Sequence, residues 1–345
     1  MSFTLLPEWA EQDAVMLTWP HSQTDWRDIL SDVEPVYVVL CQHITQVQKV
    51  VIVAHDESLR KHIERLLADA NVDLAQCQFV VTPCNDTWTR DHGPLTTQNS
   101  TMELCVKDFT FTGWGDKFAA ELDNKINQQL ATQVLNPNCT FKPVDIVLEG
   151  GGIEINEHKV LLTTSECLLN PNRNPHLSKT ELELVLQKEL GAESFLWLDH
   201  GYLAGDDTDS HIDTLVRFAP HNTLVYVKCD DKSDEHYDAL NKMEHQLRSF
   251  RTPCGNPYKL IDLPWPSAKY DSDGERLPAT YANYLILNKT VLVPIYGDEK
   301  DQEALGKISL AHPERTVIGV NCLPIIHQFG SLHCITMQLP KGFLR

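Results

Sequence analysis

The sequence has no run of about 18 apolar residues, so no membrane-spanning helix is expected. It has no block of about five to eight Lys or Arg residues, the mark of a basic nucleic-acid patch. Its 29 Lys+Arg face 48 Asp+Glu, a formal charge of −19. So acidic a chain repels phosphates and is a poor nucleic-acid binder. None of the ten cysteines pairs as C-x-x-C, and ten in a chain this long do not make a disulfide scaffold. Met1 leads into Ser-Phe-Thr-Leu-Leu-Pro-Glu-Trp, without a basic stretch or an apolar core, which is not how a secretory signal reads. A reduced, cytoplasmic setting is therefore expected, with most cysteines acting as small buried apolar residues. Nucleotide loops are missing too. Gly150-Gly151-Gly152 is contiguous rather than G-x-G-x-x-G, and no Gly-Lys-Ser/Thr follows it.

What is present suffices for a core. Hydrophobic residues make up 42% of the 345 positions, which excludes a disordered chain. No linker or low-complexity block divides the sequence, so a single domain over 1–345 is expected. Short runs rich in Val, Ile, Leu and Thr read as strands over 14–19, 50–54, 78–82, 102–106, 159–163, 214–218, 223–228, 284–287, 291–295, 316–320 and 334–338. Helical periodicity appears over 57–70, where Leu59, Ile63, Leu66 and Leu67 form one stripe, and over 118–132, 179–190 and 233–250. Ser178, three residues before Glu181, predicts a capping box. Leu287-Asn288-Lys289-Thr290-Val291 predicts a hairpin. Roughly five strand–strand–helix units point to an α/β or α+β fold without strict βαβ alternation.

Four stretches concentrate reactive side chains. Asn85-Asp86-Thr87-Trp88-Thr89-Arg90-Asp91-His92-Gly93-Pro94 follows an apolar strand and ends in a turn, a common setting for a site. Glu149 precedes the three glycines, where backbone can approach a ligand or turn sharply. Gly205–Asp213 is rich in Asp but fails as a calcium loop, because Ile212 and Phe218 stand where glycine and glutamate are needed. If His211-Ile212-Asp213 is extended, His211 and Asp213 project to the same side, as an acid/base group and an anion would. Gly330-Ser331-Leu332-His333-Cys334 brings a cysteine to a strand start, with nothing local to lower its pKa.

A nucleophilic Cys needs a His only in space, not in sequence. The order here is carboxylate, glutamate, His-x-Asp and then Cys, whereas papain-like enzymes put the Cys first. Asp91, Glu149 and Asp213 around a thiol would oppose a thiolate unless the substrate is itself a cation. A guanidinium, with its fork of donors, pairs bidentately with carboxylates. A non-catalytic binder of cations and a His/Asp metal hydrolase remain open on these residues alone.

The sequence resembles the agmatine deiminases and bacterial peptidylarginine-deiminase-type enzymes of the guanidine-modifying (pentein) superfamily. The resemblance rests on Pro7-Glu8-Trp9 with 14–20, Thr87–Pro94, Gly113-Trp114-Gly115, Glu149-Gly150-Gly151, Asn170-Pro171-Asn172-Arg173-Asn174-Pro175, Gly205–Asp213 and His333-Cys334. Ser210 and the Gly330-Ser331-Leu332 turn depart from the more glycine-rich pattern of many relatives. The resemblance implies a five-bladed α/β propeller with pseudo-five-fold symmetry. It implies hydrolysis of agmatine to N-carbamoylputrescine and ammonia, with free or peptidyl arginine as the competing substrates. It implies that Cys334 is the nucleophile, His211 the acid and base, Asp91 and Asp213 the guanidinium clamps, and Glu149 the group that orients His211 or the substrate. No metal or organic cofactor is implied, and self-association is expected. Trp88 is expected to pack on the substrate's methylene chain or face its ammonium.

Overall fold

Five sheets of three or four strands repeat one pairing pattern in the computed structural model, which describes residues 2–345. Each has an antiparallel pair, then a helix, then a third strand parallel to the second. One unit runs Leu95–Gln98, Leu104–Thr110, helix Ile126–Gln133 and Thr140–Val147. The next runs Ile153–Ile155, Val160–Thr164, helix Lys179–Leu190 and Ser194–Leu198. Val216–Ala219, Thr223–Val227, helix Tyr237–Ser249 and Lys259–Leu263 follow. Then come Leu285–Ile286, Thr290–Ile295, helix Asp301–Ala311 and Thr316–Asn321. The fifth is closed by both ends of the chain: Thr336–Pro340 pairs antiparallel with Gln12–Thr18, and helix Leu30–Thr45 leads to Lys49–Ala54. Helix Glu57–Asp69 adds a fourth strand, Cys77–Val81, to that sheet.

Local chemistry explains the elements. Lys49–Ala54 carries Val50, Val51, Ile52 and Val53, all fully buried, as a strand with parallel neighbours and both faces covered must be. Asp56 caps helix Glu57–Asp69 by accepting from Leu59 N, and its apolar stripe buries Ile63 and Leu67. The predicted capping box at Ser178 and Glu181 is present, and Gly191, at φ +68°, ends that helix in the left-handed region. The 287–291 hairpin is present as well.

Several expectations are corrected. The 118–132 helix begins only at Ile126, after a 3-10 turn at Asp123–Lys125. Residues 118 and 119 line a cavity instead. The strand expected over 102–106 starts at Leu104, because Met102 sits in a turn at φ +65°. The strand expected over 334–338 starts at Thr336. Two helices, Leu30–Thr45 and Asp301–Ala311, were not foreseen. Residues 211–213 are not extended. Ile212–Thr214 forms a 3-10 turn, closed by Thr214 Oγ1 donating to His211 O over 2.9 Å and Leu215 N donating to Ile212 O over 3.0 Å.

One regularity matters for function. Asp91, Glu149, Asp213, Asn283 and Cys334 all lie just before the first strand of a sheet. Among the described residues, no helix is long and apolar enough to cross a membrane.

Candidate active site

Three of these strand entries meet at a cavity of about 450 Å³, lined by Asp91, Asp213 and Cys334. Aromatic walls come from Trp88, Phe111, Trp114, Phe118 and Phe329. Trp114 stands edge-on to both Trp88 and Phe111, at 6.0 and 5.2 Å between ring centres. Acidic side chains predominate among the polar ones: Asp25, Asp86, Asp123, Asp206 and Asp207 also line it. Lys117 is the basic residue of the wall, and it is already spent on Asp207 O and Asp209 Oδ1, at 2.7 and 2.9 Å.

Cys334 is held by Asn283. The amide oxygen of Asn283 accepts from His333 N at 2.9 Å and Cys334 N at 3.3 Å, and lies 3.4 Å from Cys334 Sγ. Burial pushes the thiol well above its ordinary pKa, and the charges of Asp213 and Asp91 push it further. The protein alone therefore carries a protonated thiol. Burial brings His211 down to about 3, so its imidazole is neutral.

Asp91 and Asp213 are brought together, as expected, with His211 between them. The connecting element is Gly151. Its N–H donates to Asp91 Oδ1 at 2.9 Å. A Cβ there would stand 2.7 Å from both Asp91 Oδ1 and His211 Nδ1, and 3.2 Å from Asp213 Oδ2, so only glycine fits. Asp91 Oδ2 accepts from Trp114 Nε1 at 2.9 Å. Burial raises Asp91 well above the usual carboxylate range, with Asp213 and Glu149 adding to it. Asp213 goes the other way. Burial opposes its charge, but His333 Nδ1, 2.7 Å from Oδ2, holds it below the usual range. Asp213 Oδ1 is buried with no hydrogen-bond partner.

Glu149 does not line the cavity. It is fully buried and takes Arg173 Nε on both oxygens, at 3.1 and 2.9 Å. It lies behind the site, within 4.8 Å of His211 and Cys167. That placement suits orientation of His211 and corrects the picture of a direct clamp, because its lone pairs face an arginine. Arg173 also reaches Asp209 Oδ2 at 2.7 Å and so braces the loop before His211. Ser210, where glycine was expected, adopts φ +63°. Its N–H is held by Asp206 Oδ2 at 2.7 Å, which offsets the strain of that conformation. Trp88 lines the cavity and packs so tightly on Gly330 that a Cβ there would come 2.1 Å from its ring.

Sequence reasoning missed Asn283, which lies among apolar residues and carries no local signal. Trp114 and Arg173 were visible within motifs, though without a role. Among the described residues, three clusters have His, Cys or carboxylate atoms close enough to hold a metal: Glu149/Cys167/His211, Glu8/Glu154/His333 and His21/His55/Cys84. In the first two, Arg173 and Arg217 already engage the carboxylates.

Comparison with known proteins agrees with this geometry. The family model described as Porphyromonas-type peptidyl-arginine deiminase matches residues 4–340. A solved structure from Porphyromonas gingivalis, given as a candidate arginine deiminase, is 45% identical, superposes with a TM-score of 0.94 and is covered fully in both chains. The agmatine deiminase of C. jejuni with substrate bound is 37% identical with a TM-score of 0.90, covering 99% of this chain and 97% of that one. The agmatine deiminase of Stutzerimonas stutzeri is 30% identical across 98% of this chain and 95% of its own. The chain has a mixed α/β fold with structural neighbours among the penteins, and it belongs to the Porphyromonas-type peptidyl-arginine deiminase family.

Proposed function

We propose that this family member hydrolyses agmatine to N-carbamoylputrescine and ammonia through a covalent intermediate on Cys334. The observation that carries the reading is the buried, unpartnered Oδ1 of Asp213, a residue that lines the same cavity as Asp91 and Cys334. A buried acceptor without a donor is costly, and a guanidinium N–H satisfies it.

The free site is inert, with a protonated thiol and a neutral imidazole. A guanidinium between Asp91 and Asp213 supplies the missing positive charge and makes a thiolate cheaper. The sulfur then bonds to the amidino carbon while its proton passes to His211. His211 gives that proton to the departing nitrogen, the C–N bond breaks, and ammonia leaves a thiouronium. Water loses a proton to His211 and bonds to the same carbon. The C–S bond breaks as the new hydroxyl gives its remaining proton to solvent and becomes the ureido carbonyl, and the sulfur recovers the proton held by His211. Glu149 orients His211 from behind. Acid–base catalysis of this type contributes about 10²–10⁴-fold, with positioning and electrostatics adding the rest.

Agmatine suits the walls. Its methylene chain meets Trp88 and its second cation meets acids, whereas a substrate carboxylate would find only Lys117, already paired. We take the five sheets as blades of a pseudo-five-fold α/β propeller. The support is that one site residue precedes the first strand of each. We also take residues 1–345 as one catalytic domain working in the cytoplasm without metal or cofactor. The ten unpaired thiols suit a reducing compartment.

The test is ammonia and ureido release from agmatine, free arginine and a blocked peptidyl arginine side by side. Agmatine should be preferred. A preference for either arginine overturns the substrate, and no release from any of the three overturns the reaction.

A further inference from the structure

Glu8 and His333 enter no step above, yet both are built into the base of the site. His333 is fully buried, and its ring bridges two carboxylates: Nδ1 lies 2.7 Å from Asp213 Oδ2 and Nε2 lies 2.6 Å from Glu8 Oε1. Arg217 Nη2 also stands 3.0 Å from Nε2, so that nitrogen lies between Glu8 and a guanidinium, while Nδ1 carries the proton given to Asp213 Oδ2. Glu8 is itself gripped. Arg217 Nη2 meets its Oε2 at 2.5 Å, Arg90 Nη1 its Oε1 at 3.2 Å, and Gln338 Nε2 donates to Oε2 at 3.0 Å. Arg217 is anchored on its other side by Glu154 and by the carbonyls of Ala282 and Tyr284. The result is a rigid frame that presses on one oxygen of Asp213. Asn283 Nδ2 and Cys334 Sγ add contacts to the same oxygen at 3.3 and 3.9 Å, while Oδ1 has no partner.

We propose that His333, braced by Glu8, is a positioning residue that ties down Asp213 Oδ2 and so leaves Oδ1 fixed and free for the guanidinium. This rests on the guanidine reading of the cavity. A carboxylate without such a frame can rotate or turn to another donor, and loses the bidentate geometry a guanidinium requires. The frame also links Pro7-Glu8-Trp9 with His333-Cys334. These motifs lie at opposite ends of the chain, 325 positions apart from Glu8 to His333.

Calorimetric binding of methylguanidine to a Cys334→Ser chain reads the clamp without turnover and without the thiol. In that background His333→Ala should weaken binding by about tenfold to a hundredfold, as loss of a charge-assisted hydrogen bond implies. His333→Asn, whose amide nitrogen can stand in for Nδ1–H, should recover most of that loss. Glu8→Gln should fall between the Cys334→Ser parent and its His333→Ala variant. Near-ultraviolet circular dichroism like that of the parent shows each variant folded. The decisive comparison is Asp213→Ala with and without His333→Ala. The double variant should bind no more weakly than Asp213→Ala alone, because His333 acts only through Asp213. Losses that add, or unchanged binding in a folded His333→Ala variant, overturn the proposal. Agmatine turnover is read in parallel in chains that keep Cys334. Methylguanidine binding to the Cys334→Ser parent, with no ammonia released by the wild type, sinks the reaction and leaves the positioning role. Normal turnover in His333→Ala does the reverse.

Discussion

Asp91 and Asp213 face the same cavity and are prepared for it in opposite ways. Asp91 is given two neutral donors, the Gly151 amide and the Trp114 indole, and its carboxyl is raised. Asp213 is given an imidazole backed by a carboxylate and two guanidinium groups, and its carboxyl is lowered. Neutral donors do not repay the burial of a charge beside a second anion, and an imidazole partner does. If a guanidinium is the ligand, Asp213 meets it as an anion, while burial opposes a charge on Asp91 until the cation arrives. Two like residues thereby acquire different duties, which is how one site runs both charge states at one pH.

The comparison can be broken at several levels. The largest effect should come from the thiol between the two acids: Cys334→Ser should lower kcat by about 10⁴-fold or more, measured by ammonia release. Undiminished release would remove the covalent step and the need for either clamp. Next, Asp91→Asn and Asp213→Asn should each cost about 10²–10³-fold in kcat/KM, as loss of a preorganised charge does. Equal losses with equal stability would show the two acids to be alike.

Stability separates them by sign. The folded pKa of Asp91 is raised, so its contribution favours folding at low pH and is lost as pH rises through that folded value. Asp213 is lowered, so its contribution is present above the unfolded carboxylate pKa and is lost as pH falls through the folded value. At pH 8, Asp91→Asn should then raise Tm by about 2 °C and Asp213→Asn should lower it by a similar amount or more. Shifts of the same sign in a thermal melt would refute the contrast. A smaller change is expected from Trp114→Phe. Removing one of the donors that steady the Asp91 anion raises its carboxyl further, so the acidic limb of the kcat/KM profile should move to higher pH. The smallest effect concerns the bulk charge of −19. If the field steers a dicationic substrate, its on-rate should fall a few-fold between about 0.01 and 0.15 M salt. An on-rate that ignores salt would leave the excess charge to solubility.

Much of the site was legible because its residues sit in dense polar stretches beside strands. Cys334, Asp91 and Asp213 line one cavity, with His211 beside Asp91, although they come from three separate stretches of the chain. The local route was less legible. Thr214 folds back on His211 O and turns a predicted strand start into a 3-10 turn, a competition that residue pattern alone does not reveal. Glu149 looked like a third clamp because Arg173, which claims it, lies 24 positions away. Asn283 and Arg217 fall within apolar runs, where a polar residue gives no hint of its partner. Helix Leu30–Thr45 was masked by Pro35 and by apolar residues on more than one face. The five-unit rhythm was countable, but its closure through the two ends was not.

That closure has a consequence for how the protein is made. Thr336–Pro340 pairs with Gln12–Thr18, and the residue that carries the sulfur stands two places before that last strand. During synthesis from the N-terminus, strand Gln12–Thr18 must wait with one edge bare while the other four sheets emerge. Such an edge invites wrong partners, and the contact that finally covers it spans nearly the whole chain, which is slow to form. The Cys334 thiol is thus placed last, by the same docking event that completes the fold. A nascent or truncated chain can hold every carboxylate of the cavity and still have no thiol to place among them.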